Sequence, residues 1–233
     1  MTNELGAGTE LPAHILSDMQ EQVHAFLRSI ASAVTDAIDG SPPLTQCRGG
    51  RHVLRTPRLR LQGPTGRDST IMTAAASDPQ AQRWLGWRAE NLAAQDTLER
   101  LLTLRAGEGT VISRAPEEWW DLVAVEWATG RVAGAVGCSP DGHELGGYLA
   151  PRYRGRGLGR ELFAGAALFA HQHLGVSSVA AATEVGNAAC MAALTSAGFV
   201  PAGGPPTHEL PDGRVVPVQW LRHETDRPSR CGG

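Results

Sequence analysis

The chain of 233 residues contains no lysine: all 21 of its basic residues are arginine. That absence excludes every chemistry built on an ε-amine. No P-loop lysine can reach a nucleotide phosphate, no Schiff base can form, and no lysine can serve as a general base. Cysteine is sparse too. Cys47, Cys138, Cys190 and Cys231 lie far apart, with no C-x-x-C pair to hold zinc or to cycle as a dithiol, and they read as free thiols. No apolar run reaches the ~18 residues of a membrane-spanning helix. Nor does the first stretch have the charged-then-apolar pattern of a secretory signal, so the expectation is a cytoplasmic protein. A net charge of −3 and a hydrophobic content of 42% exclude a strongly basic nucleic-acid binder and a disordered acidic chain.

What is present begins with a long amphipathic pattern. Ile15, Met19, Val23, Phe26, Ile30 and Val34 recur at three- and four-residue intervals between Leu11 and Asp39. Gly40 and Pro42-Pro43 end this predicted helix, and GSPPLTQCRGGR (residues 40–51) reads as a linker. Residues 1–50 are therefore expected to form a helical extension, most simply a packing or homodimerisation element. Residues 51–225 form the main domain and 226–233 a flexible tail.

Within the main domain Arg58–Gln62 alternates like a strand, and Asp68–Ala76 and Glu90–Arg105 read as helical. Asp78 and Pro79 have the N-cap and first-turn pattern of a helix running through Trp84 and Leu85. Leu122–Trp127 and Arg131–Cys138 flank Thr129-Gly130 as a hairpin, and His143–Leu149 follows as a third strand. Leu162–Leu174 then reads as a helix, Val176–Thr183 as a strand, Asn187–Ala197 as a helix and Val215–Leu221 as a last strand. Hairpins followed by strand–helix–strand–helix–strand predict a mixed α/β (α+β) sheet.

The informative stretch is RYRGRGLGREL, Arg152–Leu162, where Gly155, Gly157 and Gly159 alternate with Arg and Leu at the mouth of a helix. Glycine there permits φ > 0 and close approach of another molecule. A helix N-terminus offers unpaired N–H groups and the positive end of the macrodipole. Together they describe an anion site, most often for phosphate. The Walker pattern fails for want of lysine. The dinucleotide pattern G-x-G-x-x-G fails because its third glycine would fall on Arg160 or Leu162. What remains is [RQ]-x-x-G-x-[GA], carried by Arg154, Gly157 and Gly159.

With its flanks, Glu144–Leu162 (ELGGYLAPRYRGRGLGREL) resembles the acetyl-CoA-binding segment of the GNAT N-acetyltransferases. It is closest to the RimJ/RimL type that acetylates ribosomal proteins. TPRLRLQ (Thr56–Gln62) and SDPQAQRWLGW (Ser77–Trp87) look like that family's first strand and second helix. Asn187 followed by Ala197-Gly198-Phe199 looks like its N-x-x-S…G-F segment, and the resemblance covers about residues 52–222.

It implies a GNAT fold and acetyl-CoA as co-substrate, with no metal. The diphosphate would lie on the backbone N–H groups of Arg156, Gly157, Leu158, Gly159 and Arg160, beside Gly155, with Arg154 or Arg156 adding charge. It also implies that the strand before the loop splays from the one at Val179–Thr183. The pantetheine arm would then pair with backbone at Tyr148 and Leu149 and reach Asn187.

The family's tyrosine is missing from the helix after Asn187, and Cys190 stands where the Rim type has serine, so a weak S–H donor or a packing residue replaces a hydroxyl. For the base that must deprotonate the amine, the candidates rank Glu144, Glu184, then Glu126, with His143 as a turn histidine and proximity alone as another route. His171 and His173, two apart on a helix, face different ways and make a poor metal pair. Trp84, Trp87, Trp119, Trp120 and Trp127 are candidates for an apolar acceptor wall. No strongly anionic pocket for a polycation is visible.

The reading is an acetyl-CoA-dependent N-acetyltransferase acting by direct attack on a primary amine of a protein, peptide or small molecule. The alternative is a weak or idle acyl-CoA-binding module working through its N-terminal helix. Neither nucleic acid nor membrane is an expected partner.

Overall fold

The computed structural model describes residues 45–48, 51–64, 68, 78–87, 120–139, 141 and 143–230. They lie in the second of the two units into which the chain divides, 41–233. The N-terminal helix predicted over 11–39 and the helices predicted over 68–76 and 90–105 fall essentially outside these residues. So do Trp119 and Cys231.

Among the described residues, ten strands form two sheets. The first runs β1 (Thr45–Arg48), β2 (Arg51–Arg55), β3 (Leu59–Gln62), β4 (Trp120–Glu126), β5 (Arg131–Cys138) and β6 (Leu145–Leu149), each antiparallel to the next. Residues 40–51, expected to be a linker, already contribute a strand, because Thr45–Arg48 pairs with Arg51–Leu54 across Gly49-Gly50. The second sheet has β10 (Val215–Glu224) at its centre, with β7 (Ser178–Glu184), β8 (Val200–Ala202) and the short β9 (Thr207–Glu209) against it.

Three helices complete the described fold: α1 (Pro79–Leu85), α2 (Leu158–Gln172) and α3 (Ala188–Ser196). Helix α1 begins where the sequence indicates. The Asp78 carboxylate accepts the Ala81 N–H at 2.9 Å, Pro79 occupies the first turn, and Gly86 at φ 65° closes the end. Helix α2 starts at Leu158, a turn before the predicted Leu162, because Gly157 in the left-handed region is its N-cap. One face of α2, with Leu158, Leu162, Phe163 and Phe169, is buried against Leu54, Leu61 and Val136 of the first sheet. Fully burying such side chains contributes about 1.5–3 kcal/mol each, which fixes the helix over the sheet.

Among the described residues, the edges of the two sheets are joined just ahead of β6 by a parallel bridge between Glu144 and Ala180, where the Ala180 N–H donates to the His143 carbonyl at 2.8 Å. Beyond that bridge, among the described residues, the strands separate. The segment from Asp226, read as a flexible tail, is held as far as Arg230: the Ser229 N–H donates to His171 O, and Arg230 Nε to Leu174 O.

Candidate active site

The separation of β6 from β7 opens a cleft of about 1010 Å³. On its β6 side the ladder to β5 decides which backbone groups are free. Antiparallel pairs alternate between bonded and non-bonded residues. The Ala150 N–H donates to Ala133 O, so in this register Tyr148 and Gly146 bond to β5 while Leu149 and Gly147 turn their N–H groups outward. Among the described residues those two outward N–H groups have no acceptor. This is an edge onto which an extended chain can add.

At the end of β6 the chain makes a tight turn (Pro151–Tyr153) and passes through Gly155 at φ 70° and Gly157 at φ 74° into α2. These are left-handed conformations that side-chain-bearing residues adopt only with strain. Among the described residues none of the backbone N–H groups from Gly155 through Arg160 donates to a protein acceptor. Gly159 serves a different need: a Cβ there would sit 2.9 Å from Ala193 Cβ, so its absence lets α3 approach the first turn of α2. The result is a run of main-chain donors at a helix N-terminus, the arrangement that binds an anion.

The arginines of this segment are largely engaged inside the protein. Arg156 turns away from the cleft, and its guanidinium donates to Glu126 at 2.6 Å. Arg154 donates from Nε to the Leu149 carbonyl at 2.9 Å, and from its two terminal nitrogens to Gln80 (2.9 Å) and Asp78 (2.6 Å). Arg58 reaches in from the bend just before β3, donating to the Arg156 carbonyl at 2.8 Å and to the Glu161 carboxylate at 2.5 Å, while Thr56 also donates to Glu161. Arg160 lines the cleft and is exposed, with no ion pair among the described residues.

The predicted site residues Glu144, Tyr148, Leu149, Arg154, Gly155 and Gly157 all line this one cleft, as do Leu158, Gly159, Arg160, Glu184, Asn187 and Cys190. Arg156 is the exception. The three carboxylates proposed as bases stand in different circumstances. Glu126 is buried, accepting from Arg156 and Thr129, and does not line the cleft. Glu184 is held in a two-pronged pair with Arg83, both contacts at 2.7 Å. The Arg83 hydrogen bonds outweigh the effect of burial and keep the Glu184 carboxyl below the usual carboxylate range, which makes it a poor proton acceptor. Glu144 is half-buried, and its carboxylate has no hydrogen-bond partner among the described residues. His143, by contrast, is exposed and directed at the Ser178 carbonyl, 3.3 Å away.

Asn187 caps α3, accepting the Cys190 N–H at 3.1 Å through Oδ1, which leaves its amide NH₂ for the cleft. Burial pushes the Cys190 thiol up, and a hydrogen bond from Thr183 offsets this only in part, so the S–H stays protonated near neutral pH. Across the cleft stand Trp84 and Trp87, the latter edge-on to Tyr148 with centroids 5.2 Å apart, and Leu210, Val216 and Val218 from the second sheet and its loop. Trp127 does not line the cleft.

Nothing in the sequence marks Asp78, Gln80 or Arg83 as a site residue. Asp78 is visible there only as a helix cap. Its partner lies 76 residues away, and that of Arg83 lies 101 away. Among the described residues no group of three potential metal ligands comes together, and no helix is long and apolar enough to cross a membrane.

A turn of free amides opening a helix, beside an unpaired strand edge in a split sheet, defines a cleft that can take an anion at one end and an extended chain along its edge. Residues 58–200 match the acetyltransferase (GNAT) domain family, and the chain belongs to it: it is an N-acetyltransferase. Solved structures of similar fold include the ribosomal-protein-S5-alanine acetyltransferase from Vibrio fischeri, with 15% identity over 75% of this chain and 97% of that one, TM-score 0.56. Another is the spermidine N-acetyltransferase from Vibrio cholerae in complex with CoA and spermine, with 17% identity over 72% and 96%, TM-score 0.55. A third is the microcin C7 self-immunity acetyltransferase in complex with acetyl-CoA and AMP, with 13% identity over 73% and 94%, TM-score 0.55. No protein of curated function matches the chain by sequence.

Proposed function

We propose that this acetyltransferase uses acetyl-CoA and transfers the acetyl group to a primary amine by direct attack in a ternary complex. The observation that carries the reading is the unpaired run of N–H groups from Gly155 through Arg160, continuous with the outward N–H groups of Leu149 and Gly147. The first set fits a diphosphate and the second an extended amide-bearing arm, and both line one cleft. Bound there, acetyl-CoA supplies an activated thioester carbonyl.

The chain's own residues do the rest. The Leu149 N–H lies where it can donate to the carbonyl oxygen as negative charge grows on it, a contact that favours the transition state over the ground state. The Asn187 amide orients the arm from the α3 side. Glu144 takes the proton from the incoming ammonium, being the cleft carboxylate free of a cation among the described residues, whereas Glu184 is neutralised by Arg83. The Cys190 S–H, kept protonated by burial, is the donor nearest in kind to the missing hydroxyl. The aromatic pair Trp84 and Trp87 gives the acceptor side an apolar wall.

Calorimetric titration with CoA tests the first half of the proposal, with micromolar affinity expected. Thiol release from acetyl-CoA against a library of peptide N-termini and small amines tests the second. Absence of CoA binding overturns the reading altogether. Binding without thiol release from any amine favours a coenzyme-binding module without turnover.

A further inference from the structure

Helix α1 has only seven residues, too short to hold its shape without help from its surroundings, so its order depends on what grips its ends. Its C-terminal end is fixed on the second sheet: Arg83 forks onto Glu184 of β7, and Arg214 donates to the Arg83 carbonyl at 2.8 Å. Its N-terminal end is fixed on the first sheet, and there one guanidinium does the work. Arg154 holds the Leu149 carbonyl through Nε, Gln80 through one terminal nitrogen and Asp78 through the other. The Asp78 oxygen that accepts from Arg154 is the same one that caps the helix at Ala81 N–H. The helix thus spans the two lips of the cleft, and Trp84 and Leu85 project from it into the cavity.

We propose that Arg154 is a positioning residue rather than a phosphate ligand. It joins the outer edge of β6 to helix α1, so that filling the coenzyme groove stiffens the acceptor wall.

This rests on the acetyl-CoA reading above. Three of the five N–H donors of the guanidinium are directed at protein acceptors, and they come from both of its edges. A planar fork reaching three fixed acceptors is a rigid coupling that a flexible point charge cannot reproduce. The carbonyl it holds belongs to Leu149, whose own N–H is the free group at the edge where the arm would pair. Ordering that peptide by ligand therefore orders Arg154, and Arg154 in turn holds the cap. Burial would raise the Asp78 carboxyl, but the Arg154 hydrogen bond and the Ala81 N–H outweigh it and keep it charged, so the link persists across the neutral range.

The test is amide hydrogen exchange of Gln82–Gly86, measured on the full chain with and without acetyl-CoA, alongside the affinity for acetyl-CoA by calorimetry. In the wild type, saturating acetyl-CoA should slow exchange in this segment about tenfold, within the usual range of site-to-site coupling. Asp78→Ser keeps a competent helix cap but cannot pair with Arg154. It should bind acetyl-CoA within about threefold of the wild type and lose the ligand-induced slowing. Arg154→Gln should lose it as well, and the double variant should behave as Arg154→Gln alone, since both changes cut one link.

A slowing that survives Asp78→Ser overturns the proposal. So does an Arg154→Gln protein that binds acetyl-CoA more weakly yet still transmits the slowing, because that is the signature of a phosphate ligand. If the wild type does not bind acetyl-CoA, the parent reading falls and this one with it. If it binds without any change at Gln82–Gly86, the coupling alone is wrong.

Discussion

The two lips of the cleft are built by different means. On the β6–α2 side the donors are main-chain N–H groups, exposed because two glycines sit in left-handed conformations and a helix begins at once. On the α1 side the wall is placed by side-chain ion pairs: Asp78 with Arg154, and Glu184 with Arg83. The first construction is local in sequence. The second joins residues 76 and 101 positions apart. A main-chain site tolerates almost any side chain that leaves the backbone path intact, and fails when that path is blocked. A side-chain wall can lose one partner and only loosen.

The largest expected effect tests the main-chain lip. Gly157→Asp places a carboxylate, in a conformation strained for it, at the centre of the amide run. CoA binding should weaken about 30- to 1,000-fold by calorimetry, since strain and like-charge repulsion each cost on the order of 1–2 kcal/mol. Gly157→Asn has nearly the same shape without the charge and tolerates the left-handed region better, so it should lose only about tenfold. If the two variants behave alike, the site is not an anion site.

Next in size is the contrast between the two cleft carboxylates. Glu144→Gln should lower kcat/KM about 100-fold at neutral pH, the usual worth of a general base, and should recover as pH rises and more of the amine is already neutral. Glu184→Gln should lower it less than about tenfold, because that group is occupied by Arg83, and should instead cost a few degrees in Tm, as partly exposed ion pairs contribute about 0.2–1 kcal/mol. If Glu184→Gln shows the larger rate loss and the pH recovery, the base assignment reverses.

The same contrast explains what the sequence disclosed. The glycine turn, the Asp78 cap with Pro79 and the Asn187 cap were all readable because each is settled within a few residues by backbone chemistry. The split between β6 and β7 was foreseen from family resemblance, not from spacing. The paired strands at Thr45–Arg55 do not stand out because Gly and Arg make up five of those eleven residues and Pro42-Pro43 lie just before them, which masks a hairpin as a linker. No pattern announced that Arg156 would turn to Glu126 and Arg154 to Asp78. A guanidinium finds its carboxylate only after the strands carrying both are in place, and a Gly-Arg-Gly string offers no clue to which way the arginine will face.

The smallest effect lies on the far side of α2 from the cleft, where His171 Nε2 is 2.9 Å from His223 Nδ1 and His171 Nδ1 is 2.7 Å from the Val176 carbonyl. A ring nitrogen beside a carbonyl must carry a proton, so His171 Nδ1 donates there, and the two ring nitrogens that face each other have room for only one proton between them. Burial, and after it the charge of His171, hold His223 below the usual histidine range. The unfolded chain therefore takes up a proton near pH 6.5 that the folded chain resists, so stability is full above that pH and falls as pH drops below it. His223→Asn keeps a polar group against His171 and removes the titration. Discounted for solvent, the fall in Tm between pH 7.5 and pH 5 should shrink by on the order of 2 °C, with CoA affinity at pH 7.5 unchanged. An undiminished fall would mean that the acid sensitivity comes from other groups, among them the carboxylates that hold the cleft's wall in place.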